Sequence, residues 1–148
     1  MFQLILKYTL FLLLSHYNYS LWAQAELSWD ALGDVTFEHK SLDDTDTYWL
    51  VPTFGRVIQL YEGWDVVLEG YLVLNDLEEN LSVLSKFPFA SCFFCGGAGP
   101  ESIVEINFKN KQKGLSIDQR VKIRGTFMLN ADDIEHFNYR IVDAEIYK

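Results

Sequence analysis

Cys92 and Cys95 stand three apart in the run Ser91-Cys92-Phe93-Phe94-Cys95-Gly96-Gly97-Ala98-Gly99-Pro100-Glu101, and the chain has no other cysteine. Two thiols at this spacing admit three chemistries. They can hold a soft or borderline metal, Zn²⁺ or Cu⁺, because a glycine directly after the second cysteine lets the chain fold tightly around an ion bound by two sulfurs. They can close a local disulfide, which an oxidising compartment favours although so small a ring constrains the unfolded chain little. They can form a thiol redox centre, which requires a stabilised thiolate. Gly96, Gly97, Gly99 and Pro100 cannot sustain a helix whose dipole would lower a thiol pKa, and no Lys, Arg or His adjoins the pair. The redox reading therefore ranks third.

The metal reading has half of what a zinc ribbon uses, since such a ribbon pairs two knuckles and a closed zinc site wants four ligands. The remaining ligands would have to come from elsewhere in the chain or from a second copy across a homodimer. His39 and His136 are the additional candidates, as the only imidazoles outside the N-terminal segment. Each taken alone is more often a solvated surface residue than a ligand. Asp43, Asp44 and Asp46 are spaced loosely like a calcium loop, but Thr47 to Leu50 lacks the glycine turn and the following acid, so a solvated turn is expected. No Ser/His/Asp arrangement, P-loop or dinucleotide fingerprint occurs. No catalytic residue is assigned and the chain is not expected to be an enzyme.

Compartment and partners follow from the ends and the composition. Lys7, the apolar run Tyr8 to Leu14 and the close Ala23-Gln24-Ala25 form the three-part layout of a secretory signal peptide over residues 1–25. His16, Asn18, Ser20 and Gln24 interrupt the run too early for a spanning anchor of about 20 apolar residues. The expected product is periplasmic or secreted, with no membrane insertion after cleavage, and removing 25 of 148 residues leaves 123, enough for one core. The leader carries Lys7 and no acid, so the formal charge moves from −9 to −10. A chain this acidic repels phosphate backbones, which excludes nucleic acid as a partner. A second copy of the chain or another exported protein is the partner class that remains. Aromatic residues make up 16% of the chain, which argues against disorder.

The elements that must position the cysteines are strands. Residues 26–63 read as an N-terminal extension packed on a barrel, with a strand at 34–39, an edge strand at 48–52 closed by Pro52, and a short strand at 56–60. Two later segments share a pattern: Val66, Leu68, Gly70, Leu74 and Asn75 recur as Val121, Ile123, Gly125, Leu129 and Asn130. Each begins as a period-two strand and breaks at a glycine, the mark of a bend in a long strand. With 81–86, 102–108 and 139–147 this makes five strands within 64–148, long and bent at the first and fourth places. The pattern predicts an all-β, five-stranded Greek-key barrel of the OB type, with an antiparallel β-sandwich as the alternative. The polar stretch 109–118 leaves no room for the helix many such barrels carry there. The cysteine loop joins strands two and three. One of Phe93 and Phe94 should point into the core, while an exposed partner ring would mark a contact surface. Aromatics of OB barrels often stack nucleobases, but the acidic charge removes the electrostatic half of that mechanism.

The stretch 88–105 with its Cys-x-x-Cys-Gly-Gly-Ala-Gly-Pro-Glu loop, together with Gly70-Tyr71, Gly125-Thr126 and Leu129-Asn130, resembles a family of small exported proteins of unknown function from Gram-negative bacteria. The resemblance covers residues 60–148 and implies an OB-like barrel. Related exported domains with a cysteine-bearing loop in this place are associated with metal transport systems, so the resemblance implies an accessory or binding role in which Cys92 and Cys95 are the positions carried over. It transfers no third ligand.

Overall fold

The computed structural model of the chain describes residues 24–41, 48–76 and 81–147. In chain order the elements are β1 (Ala25–Glu26), α1 (Trp29–Leu32), β2 (Val35–Ser41), β3 (Tyr48–Phe54), α2 (Arg56–Gln59), β4 (Asp65–Asp76), β5 (Leu81–Ser85), β6 (Ile103–Phe108), β7 (Arg120–Leu129) and β8 (Tyr139–Tyr147). The signal-peptide expectation falls outside the described residues except for Gln24 and Ala25. The acidic run 43–46 also lies outside them.

The last five strands close on themselves in the order β4, β5, β6, β8, β7 and back to β4, with β6–β8 parallel and the other barrel pairs antiparallel. This is the expected OB-like barrel, not a sandwich, and closure leaves none of its five strands with a free edge along its whole length. No helix lies between β6 and β7. The two long strands bend where the sequence pattern breaks. A Cβ at Gly70 would stand 2.6 Å from the Ser85 carbonyl oxygen, and one at Gly125 would stand 2.7 Å from that of Val142. Both glycines are therefore close approaches that no side chain fits.

Val66, Leu68, Val104, Ile106, Ile123, Phe127, Tyr139 and Ile141 fill the barrel. Burying each such side chain contributes on the order of 1.5–3 kcal/mol. The N-terminal segment plugs one end. Ser28 caps α1 through its hydroxyl, which accepts from the Ala31 N–H at 3.2 Å. The Trp29 indole donates to the Glu69 carbonyl at 2.7 Å, and the buried Tyr139 hydroxyl donates to the Leu32 carbonyl at 2.7 Å. β2 and β3 form a separate two-stranded hairpin in which Pro52 faces Phe37.

The strand expected at 56–60 is the helical turn α2. Val57 and Leu60 are exposed while Ile58 alone is buried, so the apolar residues offer one inward contact and no sheet face. Asp34 decides the outcome from 23 positions away, its Oδ2 accepting from the Val57 N–H at 2.7 Å and the Ile58 N–H at 3.4 Å. A carboxylate on the first free N–H groups of a turn is what a helix start needs.

Candidate functional site: the cysteine knuckle and the Glu105 cluster

The loop between β5 and β6 folds as three short 3₁₀ turns, Phe89–Ser91, Phe93–Cys95 and Pro100–Ser102, with no α-helix among them. The Cys92 carbonyl accepts from the N–H groups of Cys95 and Gly97, both at 3.2 Å, and the Gly96 N–H reaches the Phe93 carbonyl at 2.9 Å. Gly96 sits at φ +73°, a left-handed conformation that a side chain would strain. The result is a compact knuckle that sets both sulfurs on one turn. Its base is pinned to the barrel by the Phe89 N–H, which donates to Asp118 Oδ1 at 2.6 Å.

The two cysteines have unlike surroundings. Cys92 is buried with Val73, Val83 and Ile103, and Phe93 and Phe137 pack on that group, forming a small second core outside the barrel. Cys95 is exposed and its thiol donates to the Phe89 carbonyl at 3.1 Å. Local desolvation, and then the neighbouring Cys92, hold the Cys95 thiol above its ordinary pKa. Of the two rings between them, Phe93 turns inward and Phe94 outward, where Phe94 meets Phe93 and Phe137 edge-on with centroids 5.8 and 6.1 Å apart. Phe87 and Phe89 are exposed on the same loop.

His136 belongs to the turn packed beside this loop, but its ring is committed elsewhere. Its Nδ1 lies 2.9 Å from Glu105 Oε1, and the Glu105 side chain is only 2% exposed. Arg140 Nε donates to the same oxygen at 3.2 Å, the Phe137 N–H donates to Oε2 at 3.0 Å, and Arg140 also reaches Asn107 at 3.1 Å. The Glu105 carboxylate is thus held by Arg140 and the Phe137 N–H, and Nδ1 of His136 lies against it. His39 lies on β2, exposed, in the other sheet. Among the described residues no three of His, Cys, Asp and Glu converge as a metal-ligand set, so the knuckle gathers Cys92 and Cys95 and neither histidine completes it.

Glu105 was not legible as a site residue. Its one sequence signal is an acid inside the apolar run Ile103-Val104-Glu105-Ile106, which period-two alternation assigns to the solvent face. The turn 130–138 covers that face. Asn130 holds the turn by donating to the carbonyls of Asp133, His136 and Phe137 and by accepting from the Asp133 N–H.

Comparisons with known proteins place the fold. The chain resembles the crystal structure of a DUF3299 family protein from Pseudomonas aeruginosa PAO1, with a TM-score of 0.53 and 16% identity over 85% of this chain and 97% of the other. At that identity the likeness establishes a shared architecture. No family model matches the chain, and no curated protein matches it. Among the described residues no helix is long and apolar enough to cross a membrane.

Proposed function

We propose that this chain is an exported, non-enzymatic binding or accessory protein that holds one soft metal ion through Cys92 and Cys95. The observation that carries the reading is the knuckle itself: one thiol fixed by burial, the other exposed on the rim, both set by a single turn closed at Gly96. The donor set is two sulfurs. That set suits Cu⁺, which soft thiolates select, better than Zn²⁺, which wants four ligands. An ion bound through an exposed rim sulfur is reachable for hand-over, and the uncharged, phenylalanine-rich loop around it suits contact with another exported protein. The raised Cys95 thiol does not favour thiolate catalysis, since a reactive cysteine needs the opposite shift. Binding the metal releases the thiol protons, so its affinity rises with pH.

The test is elemental analysis with thiol titration on protein isolated from the periplasm and reloaded anaerobically with Cu⁺. Stoichiometric metal that Cys95→Ser abolishes supports the reading. Two blocked thiols that bind metal neither before nor after reduction overturn it and favour a structural or partner-binding module with a Cys92–Cys95 disulfide. Cys95 is the residue to change because its exposure spares the fold.

A further inference from the structure

A second site lies beside the knuckle and makes no use of its sulfurs. Trp49 and Leu50 of β3, Phe93 of the cysteine loop, and Asp133, His136 and Phe137 of the turn line a mostly apolar cleft of about 300 Å³. That volume is at the lower end of small-molecule sites. Three elements distant in sequence meet there, and the turn is fixed in advance by the Asn130 hydrogen bonds, so little ordering is left to a ligand.

The chemistry of the walls selects a charge. Trp49, Phe93 and Phe137 line the space with one acid, Asp133, and among the described residues no Lys or Arg lines it. The Arg140 guanidinium is spent on Glu105 and Asn107. His136 lines the space with its Nδ1 against Glu105. Aromatic faces attract cations, a carboxylate takes N–H donors, and the net charge of −9 raises the local concentration of cations. An anion would meet Asp133 and find no fixed positive partner among the described residues.

We propose that this cleft is a binding site for a small organic ammonium ion with an apolar, aromatic body. The body lies among Trp49, Phe93 and Phe137, and the ammonium donates to Asp133.

Phenethylammonium is the probe and phenylacetate, of like shape and opposite charge, is the comparator, each titrated into ¹⁵N-labelled protein by NMR. The Trp49 indole N–H is the reporter, a buried donor with no hydrogen-bond partner among the described residues. The amine should shift it saturably in the millimolar range or tighter, with affinity at least about tenfold weaker in Asp133→Asn. That variant keeps the Oδ1 acceptor that the Glu135 N–H uses at 3.0 Å, so the turn survives, and an unchanged amide spectrum verifies it. Trp49→Ala should also weaken binding, read at the Phe137 amide. Phenylacetate binding as tightly as the amine overturns the charge assignment. No saturable shift below about 10 mM, or affinity untouched by both variants, overturns the site.

Discussion

Val66 lies directly opposite Gly125 across the β4–β7 pair, and the register carries the same relation to its mirror, Gly70 opposite Val121, with Leu68 facing Ile123 at the centre. The two halves of the sequence repeat are therefore each other's partners, related by a local two-fold axis through the middle of the ladder. Each strand bends where its partner begins. β4 passes from β7 to β5 at Tyr71, and β7 meets a bulge of β8 at Asp143, which sits at φ +50°.

Gly125→Ala should destabilise the fold by about 1–3 kcal/mol, the usual cost of overpacking a close-packed site. The added carbon would meet Ile141 Cγ2 and the Val142 carbonyl oxygen, each at 2.7 Å, and the carbonyl is backbone that cannot step aside. Urea denaturation of the variant measures the loss. An unchanged midpoint would show that the bend does not need a glycine.

Arg140→Met should cost about 3 kcal/mol, the low end for unpairing a buried charge. Glu105 would keep the Phe137 N–H and His136 but lose the permanent cation of Arg140. The double variant Arg140→Met with Glu105→Leu should recover part of that loss in the same denaturation assay. Equal costs for single and double variants would refute the coupling.

Tyr139 sets an alkaline limit. Burial, and then the charges of Glu101 and Asp34, raise its hydroxyl far above the ordinary value. In the unfolded chain the phenol ionises near pH 10, so the folded chain binds the extra proton above that pH and stability falls as pH rises through it. Tyr139→Phe should flatten that slope, measured as Tm against pH from about 8 to 11. At neutral pH it should lower stability by about 1–2 kcal/mol, because the Leu32 carbonyl loses its donor.

Cys95 and Cys92 should separate in alkylation kinetics. Iodoacetamide should modify Cys95 alone in the folded protein, with a rate that rises through a midpoint above the ordinary thiol value of about 8.5. Cys92 should react only on unfolding. Equal rates at pH 7, read by peptide mass mapping, would contradict the buried placement.

The barrel was legible because its signals are local and repeated: alternation in 66–68 and 121–123, the two bend glycines, and the absence of any helical period after residue 64. The knuckle was legible for the same reason, as Cys-x-x-Cys-Gly specifies its own turn. What stayed hidden depends on contacts between distant residues. Alternation at Val57-Ile58 could not reveal the Asp34 carboxylate that makes a helical turn there. The run around Glu105 could not reveal that a turn some 30 residues later folds over its outer face. The cleft draws Trp49, Phe93 and His136 from three separate segments, and no spacing rule joins them.

β8 is the last of the five barrel strands in chain order, yet it lies in the interior of the strand order, hydrogen-bonded to β6 on one side and β7 on the other. Until it arrives, β6 and β7 each present an unpaired edge, and the Tyr139 ring that joins the N-terminal plug to the barrel is missing. Vectorial synthesis cannot lay down a stable half-barrel and add to it. Closure must wait for residues 139–147, at the slow rates typical of non-local pairing. Chains halted at residue 138 should show no cooperative unfolding transition. A barrel keyed by its fifth strand stays an open, extensible sheet until residues 139–147 have joined it.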